Sequence, residues 1–97
     1  MGPFRQMVAS GSVVVADGAW GTQLMARGLP AGSPPEAWTL ERPETLAEIA
    51  TEYLEAGAQL LTTNTFGASP LRLEAAGLHL RCEEINRRGV EICRQAM

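Results

Sequence analysis

Lysine is absent from this sequence, aspartate and histidine occur once each, and cysteine only twice in 97 residues. Without lysine, all eight basic residues are arginine, and they alternate with glutamates instead of gathering into a patch. A nucleic-acid surface needs a basic patch or stripe, so no nucleic-acid partner is expected. Cys82 and Cys93 are separated by about three helical turns, whereas a disulfide needs Cα atoms within roughly 7 Å. No intramolecular disulfide is expected, nothing demands an oxidising compartment, and a cytoplasmic location is expected. Long hydrophobic runs are missing too, and none approaches the ~20 residues of a membrane helix. The N-terminal MGPFRQMVASGS holds no apolar run of signal-peptide length. Gln6 breaks the myristoylation pattern, and Cys93 lies one residue too far from the end for prenylation. No membrane partner is expected.

What is present is ordinary globular composition, 45% hydrophobic and 20% charged, with a mild net charge of −3. The length allows one small domain, a size that buries a modest share of its surface. Val13-Val14-Val15-Ala16 is a β-branched run that suits a strand buried on both faces, ended by the turn signal Asp17-Gly18. A short helix is predicted over Thr22 to Arg27, stopped by Gly28. Residues 29–43 are rich in Pro and Gly and predict a loop, with Trp38 and Leu40 folded back onto the body. Pro43 opens a helix whose apolar stripe is Leu46, Ile49, Ala50, Tyr53 and Leu54, closed by Gly57.

Ala58 to Phe66 predicts a second strand that turns polar at its C-terminal end. Ser69-Pro70 begins a short helix interrupted by Gly77. A last helix runs from about Leu80, with the stripe Cys82, Ile85, Gly89, Ile92, Cys93 and Ala96. Glu83–Arg87 and Glu84–Arg88 form i, i+4 pairs on its other side. The order β-α-β-α predicts an α/β fold with a parallel sheet. A third strand would be expected after the last helix, and two parallel strands with open edges cannot enclose a core. The chain therefore reads as a piece of something larger.

Sites in α/β folds gather at the C-terminal ends of parallel strands. Two such ends are present, Asp17 to Thr22 and Thr62 to Gly67. Asp17 follows four apolar residues, and a carboxylate there is costly unless paired. A ligand's ammonium group would pair it, and a side-chain cap of the following turn would serve equally. Gly18 and Gly21 would let the backbone approach an anion, although a tight strand-to-helix turn is the stronger reading of that spacing. Asn64 could meet a substrate or finish its strand with a local hydrogen bond. Cys82 and Cys93 lack zinc-ligand spacing and lie on an apolar stripe, so they read as core. His79 reads as a solvated surface residue. Trp20 and Trp38 could line a pocket or fill the core, and core is the preferred reading for Trp38.

Asp17-Gly18-Ala19-Trp20-Gly21-Thr22 resembles the D-G-x-x-G-T signature of homocysteine S-methyltransferase domains. Leu40 to Pro43, Glu52 to Ala58, Thr63-Asn64-Thr65-Phe66-Gly67-Ala68, Gly77-Leu78 and Glu84-Ile85-Asn86-Arg87 resemble further segments of that family, in the same order. The resemblance runs from about Ser12 to the C-terminus. The family takes in the homocysteine-binding barrel of cobalamin-dependent methionine synthase, its fusion with methylenetetrahydrofolate reductase, and betaine–homocysteine methyltransferase. The resemblance implies that residues 1–97 are the N-terminal β-α-β-α portion of a (β/α)₈ TIM barrel, incomplete in this chain.

It also implies methyl transfer to the thiol of homocysteine to give methionine, at a zinc ion held by three cysteine thiolates. By the same resemblance Asp17 holds the homocysteine amino group. Gly18, Gly21 and Thr22 shape the pocket and meet its carboxylate, and Thr63 and Asn64 line the same end. No catalytic residue and no zinc ligand falls on this chain, since Cys82 and Cys93 do not match the family's zinc positions. The rest of the barrel would be needed in cis or in trans. The TNTFGA segment leans towards methyltetrahydrofolate, by way of cobalamin, as methyl donor. Gln59, where the family usually has an acid, and Trp20, where a smaller residue or Met is commoner, depart from the pattern. A non-catalytic split or truncated barrel that serves only in binding or assembly is the alternative. A nucleotide-binding domain is disfavoured because the full G-x-G-x-x-G pattern is missing.

Overall fold

The computed structural model describes residues 2–97, and helices dominate it. They are α1 (Pro3–Ala9), α2 (Gly21–Ala26), α3 (Ala37–Glu41), α4 (Pro43–Glu55), α5 (Pro70–Glu74) and α6 (Cys82–Ala96), with a 3₁₀ turn at His79–Arg81 leading into α6. α4 starts where Pro43 supplies a preset φ and Glu44 complements the positive end of the helix. Its Leu46, Ile49 and Ala50 are buried, each of the two larger side chains contributing about 1.5–3 kcal/mol of apolar burial. Gly57 ends the turn after it at φ 111°, a conformation that a side chain would strain. Ser69 caps α5 by accepting the Arg72 N–H, with Pro70 at the first helical position.

α6 buries Ile85, Gly89, Ile92 and Cys93, the centre of the expected stripe. On its other side Glu84 pairs with Arg88 and also with Arg81. The expected Glu83–Arg87 ion pair does not form among the described residues. One core joins these pieces. Trp20, Leu24, Leu29 and Trp38 pack with the α4 stripe and with Ile92 and Cys93, while Tyr53, Leu61 and Ala96 border them.

Two expectations need correcting. The strands expected at Val13–Ala16 and Ala58–Phe66 do not form among the described residues. The two extended segments meet only in one parallel bridge, Ala16 to Leu60. Asp17 N–H donates to Leu60 O, and the N–H groups of Gln59 and Leu60 donate to Val15 O. The pairing is parallel, as the β-α-β order requires, but a ladder needs further residues in register. The predicted loop over residues 29–43 contains α3, seated by the burial of Trp38 and Thr39. The N-terminal segment, read only for the signals it lacks, forms α1.

Candidate functional site

The two segments joined by that bridge run on into the two motifs. Gly18, Gly21, Thr63 and Asn64 line a single open cleft of about 870 Å³. Pro34, Pro35 and Glu36 form another wall, and Phe66 and Arg72 stand at it as well. Four of the six expected substrate-binding residues therefore come together. The other two do not line the cleft: Thr22 is exposed on the first turn of α2, and Asp17 is held by its neighbours.

Asp17 fastens one motif to the other. Its Oδ2 accepts from Trp20 Nε1 at 3.0 Å and from the Thr62 N–H at 3.0 Å, and its Oδ1 accepts from Thr62 Oγ1 at 3.1 Å. The expected side-chain cap of the following turn does not form among the described residues, because Asp17 spends its oxygens on the Trp20 indole and on Thr62 across the bridge. Trp20 is buried in the core and also lines the cleft, so both of its readings hold. Tyr53 on α4 donates to Ala19 O at 2.7 Å, and a side chain at Gly18 would press on that phenol. Thr63 and Thr65 share a 2.6 Å hydroxyl contact.

A reciprocal clasp joins the two walls. Asn64 is buried, and its Nδ2 donates to Pro35 O at 3.0 Å and to Thr39 Oγ1 at 3.3 Å. In return Glu36, only 4% exposed, accepts the Gly67 N–H on Oε2 at 3.0 Å. The structure brings Asn64 to the cleft, together with Glu36, Phe66 and Arg72, which the sequence reading did not single out. The one local signal for Glu36 was an acid wedged between Pro34-Pro35 and Ala37-Trp38.

The zinc implied by the resemblance finds no ligand set here. Among the described residues no three His, Cys, Asp or Glu side chains converge. Cys82 Sγ donates to Ala68 O and Cys93 Sγ to Thr62 O, each at 3.4 Å. Burial, with a smaller contribution from the Asp17 charge, pushes the Cys93 thiol up to about 11, the opposite of a ready thiolate. His79 is exposed.

Comparison with known proteins adds to this geometry. The family model described as homocysteine S-methyltransferase matches residues 14–97. The chain is 36% identical over 96 residues to methionine synthase of Mycobacterium tuberculosis, covering 91% of this chain and 8% of that protein. It is 30% identical over 99 residues to homocysteine S-methyltransferase of Escherichia coli, covering 97% of this chain and 31% of that one. With betaine–homocysteine S-methyltransferase 1 of Sus scrofa the identity is 35% over 92 residues, covering 89% of this chain and 33% of that protein. The crystal structure of the Escherichia coli homocysteine methyltransferase MmuM, metallated form, superposes with a TM-score of 0.84 at 31% identity, over 98% of this chain and 34% of that one. The chain thus spans at most about a third of the length of these relatives.

Proposed function

The chain belongs to the homocysteine S-methyltransferase family, and from that premise we propose that it forms the amino-acid-binding end of a barrel that transfers a methyl group to the thiol of homocysteine. The observation that carries this is the cleft itself. Two motifs separated by some forty residues of chain are fastened by Asp17 to Thr62 and open onto one pocket. On this reading the backbone at Gly18 and Gly21 meets the substrate carboxylate, Thr22 shapes the start of α2 beside them, and Thr63 lines the same end of the cleft. Asn64 lines the pocket and locks its second wall. Asp17 meets the amino group through Oδ1, which carries one partner where Oδ2 carries more.

Zinc, which supplies thiol activation to the reaction when bound, would be held by residues of the remaining barrel, and this chain's thiols do not contribute. The test is methionine formation from homocysteine by the completed barrel. Product should require both this chain and the remaining strands. A completed barrel that binds no thiol amino acid would overturn the proposal.

A further inference from the structure

The turn Gly18-Ala19-Trp20-Gly21 is held from behind by a side chain of α4. Tyr53 is half-buried against the core, and its hydroxyl donates to Ala19 O at 2.7 Å. The phenol lies so close to Gly18 that a Cβ there would stand 3.0 Å from the hydroxyl oxygen and 3.3 Å from Cε1. Residues 18–21 line the cleft, whereas Tyr53 lines a separate cavity of about 230 Å³ with Gln23, Arg27 and Glu52. The turn therefore lies between the phenol and the cleft.

A peptide unit is planar, and in its trans form the C=O and the N–H point in opposite directions. No cis peptide occurs among the described residues. With Ala19 O turned towards Tyr53, the N–H of the same peptide, that of Trp20, is turned towards the cleft. The Trp20 indole N–H is spent on Asp17, but its backbone N–H meets no acceptor among the described residues. A backbone donor requires a partner, and a ligand carboxylate supplies one. The adjoining Gly18 gives this peptide freedom to turn over, and the Tyr53 hydroxyl selects one of its two orientations.

We infer that Tyr53 is a positioning residue, which by its bond to Ala19 O aims the Trp20 backbone N–H at the carboxylate of the ligand in the cleft. The inference deepens the homocysteine reading and rests on it for the identity of that ligand. Tyr53 then favours thiols that carry a carboxylate over thiols that lack one, although it touches neither.

The experiment titrates the full chain in its completed barrel with three probes. They are homocysteine, 3-aminopropanethiol, which is homocysteine without its carboxylate, and butanoate, which is a carboxylate without thiol or ammonium. Calorimetry reads the two thiols, and the Trp20 backbone amide resonance reads all three. Tyr53→Phe keeps the ring beside Gly18 and removes the hydroxyl. It should weaken homocysteine roughly three- to tenfold and leave 3-aminopropanethiol nearly unchanged. Butanoate should shift the Trp20 amide in the unsubstituted protein and shift it less in the variant. Equal weakening of both thiols would make Tyr53 a support of the turn alone and overturn the inference. So would a Trp20 amide that butanoate leaves unmoved in the unsubstituted protein, a measurement that needs no variant to fold. If butanoate shifts the amide through Tyr53 while homocysteine does not bind, Tyr53 keeps its role and the homocysteine reading falls.

Discussion

At the scale of single residues, Asp17 acts on more than the turn it ends. Its charge faces Cys93, whose thiol donates to Thr62 O, and Thr62 is the residue that Asp17 grips. Burial is the larger reason the thiol stands near 11, and the Asp17 charge is the smaller one. Asp17→Asn should therefore lower the Cys93 value only in part, leaving it above the ordinary 9.0. The pH dependence of alkylation in a Cys82→Ser background measures it; an unchanged profile would separate the two groups. The same thiol sets a sign for stability. The unfolded chain releases this proton near its ordinary value and the folded chain holds it to about 11, so stability falls as pH rises between the two. The loss is on the order of 2–3 kcal/mol at full extent, and thermal melts of the same protein from pH 8 upward would record it. Gln59, a departure from the family pattern, keeps an acceptor where an acid would have one: its Oε1 accepts the Val15 N–H at 3.2 Å. Asn64 was legible as a residue of the cleft because a polar residue at the end of an apolar run stands out locally. Glu36 was not, because its partner Gly67 lies 31 residues away.

At the scale of elements, legibility follows the range of the forces. α2, α4, α5 and α6 are written in apolar spacing and in the Pro and Gly residues at their ends, all of them local signals. α3 is five residues long and follows a Pro-rich stretch, and the burial of Trp38 and Thr39 against the rest of the core seats it. The Val13–Ala16 run has strand propensity, but propensity becomes a strand only with a partner ladder on which to pack. Gly89 lets α6 pack against the cleft turn where a side chain has no room. A Cβ at Gly89 of α6 would lie 2.9 Å from Thr65 Cγ2 in the cleft turn. Gly89→Ala gains about 0.8–1.0 kcal/mol of helix propensity and costs about 1–3 kcal/mol of overpacking, so it should be neutral to destabilising. In a Thr65→Ser background the methyl is gone, and the same change should stabilise. Four chemical denaturation curves complete the cycle; a Gly89→Ala effect that ignores residue 65 would show that α6 does not set the position of the turn.

At the scale of the whole molecule, the shape is a slab of 43 × 27 × 19 Å with its apolar strand segment on the outside. Val13 is 88% exposed and Val15 50%, although this β-branched run is the kind that parallel sheets bury. Unpaired backbone along such a segment is a template for another chain. Expressed alone, the 97-residue chain should self-associate, with a broad melt and a sedimentation coefficient that rises with concentration. Val13→Lys should reduce that association if the segment is its route, because charge on an edge opposes pairing. Supplying the remaining strands in trans should replace it with a sharp transition, since the edges then pair and both faces are covered. Metal content separates this from nonspecific rescue: the isolated chain should retain no stoichiometric zinc after dialysis, whereas the complemented barrel should hold one ion. A clean monomer of the isolated chain that melts cooperatively would mean that the α4–α6 core is sufficient by itself. The exposed valines would then need a different explanation from an absent sheet.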